Sequence, residues 1–302
     1  MLEVKNLRKE YSSVIAVDDI SFSIEPGKIF GLMGPNGAGK TTTIRMILDI
    51  IRPTSGDIHY NGKNVGSAIY NITGYLPEER GLYKKSKVND VIMYFAGLKG
   101  LDHSAAAKNT KHWLKKLEME AHAGRKIQEL SKGNQQKIQF ICSVVHDPQI
   151  LILDEPFSGF DPINQQLIKD EILGFVNAGK IIVLSTHQMD IAEKLCESIF
   201  LINKGREVCS GNISEVKKQF GTEAIKIEYS GDASFLKTMP EVKTVDLYQN
   251  FAEVELVKGS DTSDFLMKIL PRLNIRQFSV LEPTLYKIFI DVIKQTGGAA
   301  NE

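Results

Sequence analysis

Gly34-Pro-Asn-Gly-Ala-Gly39-Lys40-Thr41 follows the apolar run Lys28-Ile-Phe-Gly-Leu-Met33 and precedes a segment with Ile44, Ile47, Leu48 and Ile51 on one helical face. The stretch fits GxxxxGK[ST], and a strand before it with a helix after it is the context that pattern requires. Gly34, Gly37 and Gly39 let the backbone curl with its N–H groups inward, and a helix starting near Lys40 adds its positive end. Both favour a polyphosphate. Lys40 then supplies a point charge to the β- and γ-phosphates, and Thr41 a hydroxyl to Mg²⁺.

Two further runs, Ile150-Leu-Ile-Leu153 and Ile181-Ile-Val-Leu184, are also continuously apolar. Such runs are expected of strands covered on both faces, so the chain up to about residue 215 reads as an α/β domain with a mostly parallel sheet. The runs lead into Asp154-Glu155 and Ser185-Thr186-His187. Ligands of parallel sheets bind beyond the carboxyl ends of the strands, which makes these tips and Gly34 candidates for one shared site. Carboxylates closing a buried strand are costly unless a cation or ligand is near. Asp154 fits the acid that holds Mg²⁺ through water, and Glu155 the general base for an attacking water. The competing reading has both acids capping the turn before Pro156.

The whole chain has 302 residues, 42% hydrophobic and 25% charged, with 37 Lys+Arg against 37 Asp+Glu. That is the profile of a soluble globular chain with room for a large and a small domain. No stretch approaches the roughly 18 to 20 apolar residues of a membrane span, and Met1 to Glu10 has no signal-peptide core. The expectation is a cytosolic chain that meets a membrane only through a partner. Cys142, Cys196 and Cys209 lie far apart and read as reduced packing residues. The balanced charge weakens a nucleic-acid reading.

From about residue 84 to 148 the texture turns helical, with Val91, Tyr94, Phe95 and Leu98 at helical spacing, as in an insert. After a hairpin near Gly205 and a helix ending around Phe220-Gly221, a second unit reads βαββαβ plus a terminal helix, the order of a small ferredoxin-like α+β domain. The expected division is 1–218 and 219–302.

Between phosphate loop and acid pair stands Leu130-Ser131-Lys132-Gly133-Asn134-Gln135-Gln136, directly before a helix with Ile138, Ile141, Cys142 and Val145 on one face. Together with Ser158-Gly-Phe-Asp161-Pro and Ser185-Thr-His187, residues 1 to 215 resemble the ATP-binding cassette of ABC transporters, a P-loop NTPase whose hallmark at this place is LSGGQ. The resemblance implies an ATPase with ATP and Mg²⁺ as its cofactors. Nucleotide contacts would come from Gly34, Pro35, Asn36, Gly37, Ala38, Gly39, Lys40, Thr41 and Thr42. Ser131, Gly133 and Asp161 would act across a head-to-tail dimer that sandwiches two ATP between two copies of the chain. His187 would be the switch histidine at the γ-phosphate. Tyr11 would stack on adenine, or else be an ordinary strand aromatic. Metal contacts would fall to Thr41, Asp154 and Glu78.

This sequence departs from the family pattern at three positions. Lys132 stands where glycine is preferred, Asn134 stands where glutamine is, and Glu78, in Tyr75-Leu-Pro-Glu78-Glu79, takes the place of the Q-loop glutamine. A carboxylate there still suits a hard cation but adds negative charge beside the γ-phosphate.

Such cassettes drive a separately encoded polytopic permease from the cytoplasmic face of the membrane, with Glu78 through Ser86 and Tyr83 as its expected contacts. Ile72 to Tyr83 and Leu281-Glu-Pro-Thr-Leu-Tyr-Lys-Ile-Phe289 resemble the drug and sodium-exporter (ABC-2 type) subgroup with an added C-terminal domain, which points to export. Two alternatives are a soluble ABC-type ATPase acting on nucleic acid or ribosomes, and a feeble cassette that binds ATP as a clamp.

Overall fold

The computed structural model describes residues 1–79, 81–220, 224–257 and 259–298, and the chain divides into two units, Met1–Ile213 and Ser214–Glu302. The first unit opens with β1 (Leu2–Tyr11), β2 (Val14–Ile24) and β3 (Lys28–Met33), then α1 (Lys40–Ile47), β4 (Ser55–Tyr60), β5 (Lys63–Asn64), α2 (Ile69–Ile72) and β6 (Thr73–Leu76). The helical stretch follows with α3 (Val88–Leu98), α4 (His103–Lys116) and α5 (Lys132–Val144). The unit closes through β7 (Ile150–Asp154), α6 (Pro162–Asn177), β8 (Ile181–Thr186), α7 (Met189–Leu195), β9 (Ser198–Asn203) and β10 (Arg206–Asn212).

The central sheet has the order β10-β9-β3-β8-β7-β6 and is parallel except for the β9–β10 hairpin. Every residue of β7 and β8 is buried, as continuous apolar runs between two covering layers must be. Register decides the site: Met33 pairs with Thr186, and Asp154 with Ser185, so the carboxyl ends of β3, β7 and β8 lie side by side.

A second, antiparallel sheet, β2-β1-β4-β5, was not part of the sequence reading. In β1, buried Leu2 and Val4 alternate with more exposed Glu3 and Lys5, the pattern of a strand with one wet face. Its inner face shares one core with α1 and the central sheet, where Leu2, Val4 and Leu7 meet Ile44, Ile47, Phe30 and Phe200. Phe22 lies 5.0 Å from both Phe30 and Phe200 by ring centroids. In the helical stretch, Trp113 of α4 stacks on Phe175 of α6 at 5.9 Å. α5 is buried without a break from Gln136 to Val144.

The second unit takes in most of α8 (Ile213–Phe220), then β11 (Ala224–Ser230), β12 (Val242–Leu247), β13 (Phe251–Leu256), α9 (Thr262–Ile269), β14 (Asn274–Leu281) and α10 (Leu285–Gly298). Its sheet, β12-β13-β11-β14, is antiparallel throughout, the order that a ferredoxin-like βαββαβ chain produces. The first crossover, a helix in the βαββαβ reading, is a 3₁₀ turn at Ser234–Thr238, where the Asp232 carboxylate accepts from the Ser234 amide at 2.8 Å. Glu255 of β13 is buried. Burial alone would raise its pKa, but Lys287 of α10 and the Thr244 hydroxyl hold it below the ordinary carboxylate value. Gly221, named in the sequence reading, and Arg80, within the expected contact stretch Glu78 through Ser86, lie outside the described residues. Among the described residues no helix is long and apolar enough to cross a membrane.

Candidate functional site

The phosphate loop is pinned by backbone on two sides. Gly34 has φ +151°, and a Cβ there would stand 2.1 Å from the Ile202 carbonyl oxygen of β9. Gly39 has φ +112°, and its Cβ would meet the Ala16 carbonyl of β2 at 2.6 Å. Only glycine fits such contacts in that backbone region. Lys40, the first residue of α1, is buried, and its ammonium donates to the carbonyls of Gly34 at 2.7 Å and Pro35 at 3.1 Å. Burial lowers its pKa, opposed by Glu155, Asp154 and Glu78.

Asn36 to Thr42 form one wall of a cavity of about 480 Å³. Glu78, Asp154 and Glu155 line it too, together with Val14, Ile15, Ala16, Lys204 and Gly205. The tips of β3 and β7 thus line one cavity, and the tip of β8, which does not line it, reaches both acids through hydrogen bonds. The Thr41 hydroxyl donates to one Asp154 oxygen at 3.4 Å, and the Ser185 hydroxyl to the other at 2.7 Å. Burial pushes the Asp154 carboxyl above its ordinary pKa; the Ser185 bond lowers it, Glu78 and Glu155 raise it, and Lys40 lowers it. This corner gathers more negative charge than Lys40 offsets. A threonine hydroxyl beside a carboxylate is a hard-oxygen donor set that fits Mg²⁺. No group of three or more His, Cys, Asp or Glu among the described residues could hold a metal by itself. The arrangement therefore suits an ion shared with a phosphate ligand.

Glu155 sits where β7 turns away, with φ +50°, a left-handed conformation that costs a non-glycine residue about 1 kcal/mol or more. Its amide donates to the Ser185 carbonyl at 2.9 Å. Its carboxylate accepts from the Thr186 hydroxyl at 3.0 Å and the His187 amide at 2.8 Å, and shares a 2.6 Å hydrogen bond with His187 Nδ1. Glu155 is 5% exposed at its side chain while that of His187 is 52% exposed, so the histidine bridges the buried acid and the open face. Ser185 and Thr186 entered the sequence reading only as neighbours of His187; their hydroxyls orient both acids.

Ser131 caps α5, accepting from the Asn134 amide at 3.2 Å, and Asp161 caps α6, accepting from the Asn164 amide at 2.9 Å. The Asn164 amide and the Asn164 side chain, both donating to it, hold the Asp161 carboxyl below its ordinary pKa. The Gln135 side chain is occupied within the loop, donating to the carbonyls of Ile127 at 3.2 Å and Leu130 at 3.0 Å. Lys132 is exposed at the first position of α5. Gln139, further along α5, donates to the carbonyls of Pro77 at 3.1 Å and Glu79 at 2.9 Å, and so holds the chain on both sides of Glu78.

Gly34, Pro35, Ser131, Gly133, Asp161 and His187 are not among the residues that line the cavity, and neither is Tyr11. Tyr11 is exposed, pairs with Val14 across the β1–β2 hairpin, and carries the Lys9 ammonium 4.9 Å from its ring centroid. Val14, Ile15 and Ala16 form the apolar wall instead. The sequence reading missed them because nothing in a β-hairpin rim marks it as facing a loop more than fifteen residues away.

A model of ABC transporter domains matches residues 17–158, and a model described as ATP-binding protein DrrA1-3-like, C-terminal domain, matches residues 211–293. The uncharacterized ABC transporter ATP-binding protein YhaQ of Bacillus subtilis is 39% identical over 97% of this chain and 98% of its own length. The Nod factor export ATP-binding protein I of Ralstonia nicotianae is 32% identical over 79% of this chain and 75% of its own length. A solved structure of an ATP binding subunit of an ABC transporter superposes with a TM-score of 0.68 at 29% identity, covering 73% of this chain and 93% of that one.

Proposed function

The chain belongs to the ABC transporter ATP-binding proteins, and from that premise we propose how its residues run ATP hydrolysis and to what they couple it. The phosphate loop and Lys40 bind the triphosphate, with the apolar wall of Val14, Ile15 and Ala16 at the base end and Tyr11, outside that wall, left to stack on adenine from the solvent side. Thr41 and Asp154 are the residues that would hold Mg²⁺, joined by Glu78. When bound, the ion neutralises charge on the β- and γ-phosphate oxygens. Glu155 takes a proton from the attacking water, and His187 with Thr186 fixes the carboxylate in the direction from which it does so. One observation carries this reading: both acids share the cavity with the phosphate loop, and Glu155 is held by hydroxyl, amide and imidazole together.

Ser131 and Gly133, at a helix start, complete the γ-phosphate site of a second copy in a head-to-tail ATP-sandwich dimer, which Asp161 crosses. Closure and opening of that dimer drive a separate polytopic membrane permease, to which the chain docks on the cytoplasmic face. The DrrA-like C-terminal domain and the Nod factor export relative support export as the direction. Nothing in the site or in the named relatives supports the nucleic-acid alternative.

The dimer reading is tested at Ser131, which does not line the chain's own cavity. Ser131→Arg is expected to leave ATP affinity within about 2-fold while turnover falls at least ~100-fold and the ATP-dependent dimer disappears. A variant that dimerises with ATP and hydrolyses it at the native rate would falsify the sandwich. Glu78→Gln tests the metal assignment. Removing this carboxylate should raise the Mg²⁺ concentration for half-maximal turnover by about 3-fold or more; an unchanged Mg²⁺ dependence rejects Glu78 as a metal contact.

A further inference from the structure

We propose that Lys204 is a direct ligand of the bound nucleotide, a second cation delivered by a hairpin turn and directed at the α-phosphate. The proposal rests on the nucleotide-site reading above and adds to it a residue outside every motif that carried that reading.

Lys204 and Gly205 are the two central residues of the β9–β10 turn, because Asn203 pairs with Arg206. Both have positive φ, 49° and 79°, so the turn is of the primed type that fits the twist of a hairpin. Its first central position favours Asn, Asp or Gly, and a long side chain there is sterically penalised. Turn formation therefore does not explain the lysine. Strain kept at one residue beside a ligand cavity is a pointer to function.

The turn is also bolted to the site. The Gly205 amide donates to the Ala38 carbonyl of the phosphate loop at 2.9 Å, and the Gly205 carbonyl accepts from the Asp18 amide of β2 at 2.8 Å. A Cβ on Gly205 would stand 2.9 Å from the Ala16 carbonyl. That same carbonyl closes against Gly39, so β2, the phosphate loop and the turn meet at one oxygen. The Lys204 backbone is thereby fixed relative to the loop.

Charge completes the argument. The cavity wall presents Glu78, Asp154 and Glu155, while the ammonium of Lys40 is shared with the Gly34 and Pro35 carbonyls. Lys204 has no ion pair among the described residues, and it lines the wall that also carries Val14 and Ile15. An apolar wall suits the base and its ribose, and the phosphate nearest to them is the α-phosphate.

The test is equilibrium binding of a fluorescent ATP and the matching ADP to the full chain with Mg²⁺, alongside thermal melting of the nucleotide-free protein. Lys204→Asn replaces the side chain with one the turn prefers, so melting should occur at the same or a higher temperature. Affinity for both ATP and ADP should fall by about 5-fold, by about 30-fold or more in Lys204→Glu, and should be largely recovered in Lys204→Arg. A Lys204→Asn protein that binds both nucleotides as tightly as the native chain overturns the inference, and a loss confined to ATP overturns the α-phosphate assignment. Lys40→Ala separates the two levels of argument. If it too binds normally, the nucleotide-site reading falls; if only it weakens binding, Lys204 alone is refuted.

Discussion

Glu155→Gln is expected to lower ATP turnover by at least ~1,000-fold while nucleotide stays bound and the closed dimer accumulates. Glutamine is nearly isosteric, and its carbonyl oxygen can still accept from the Thr186 hydroxyl or the His187 amide, so the left-handed turn at this position survives. What is lost is an oxygen able to take a proton. With the amide N–H₂ turned to the Thr186 hydroxyl, the carbonyl oxygen keeps the His187 contacts, and only the charge on the acid side of the imidazole bond is lost, without opening a cavity. Single-turnover hydrolysis and size-exclusion chromatography with ATP read the two halves of this expectation. Turnover within a few-fold of native would remove Glu155 as the base.

The next largest effect is expected at Lys40. Lys40→Ala deletes a buried cation that two loop carbonyls use and that the proposed function assigns to the triphosphate, and it leaves Asp154, Glu155 and Glu78 lining the cavity without it. ATP affinity should drop by about 100-fold or more, on the order of 3 kcal/mol, the scale of a charge-assisted contact in a partly dry site. Adenosine, which has no phosphates, should bind almost as before, and this contrast distinguishes a lost phosphate contact from a damaged fold. Equal losses for ATP and adenosine would contradict the assignment of Lys40 to the phosphates.

The parts of the site legible in the sequence were those that local chemistry writes down. Continuous apolar runs marked β3, β7 and β8 because both faces of those strands are covered, and glycine spacing marked the phosphate loop because its backbone has no room for side chains. The antiparallel sheet escaped because β1 alternates and its pairing with β4 is non-local, Leu2 meeting Tyr60. The rim formed by Val14, Ile15, Ala16 and Lys204 escaped for the same reason. Its residues are ordinary in type, and only the order β9-β3 in the central sheet carries the Lys204–Gly205 turn to the loop. The hydroxyls of Ser185 and Thr186 were visible as letters, but their bonds to Asp154 and Glu155 depend on strand register.

α5 begins at the cap made by Ser131 and, about 12 Å further on at 1.5 Å per residue, grips the chain on both sides of Glu78 through Gln139. Unbroken, and buried from Gln136 to Val144, it is a strut: a single helix joins the cap at Ser131 to the segment that carries Glu78. Shortening Gln139 to alanine would disconnect the two ends while leaving each in place.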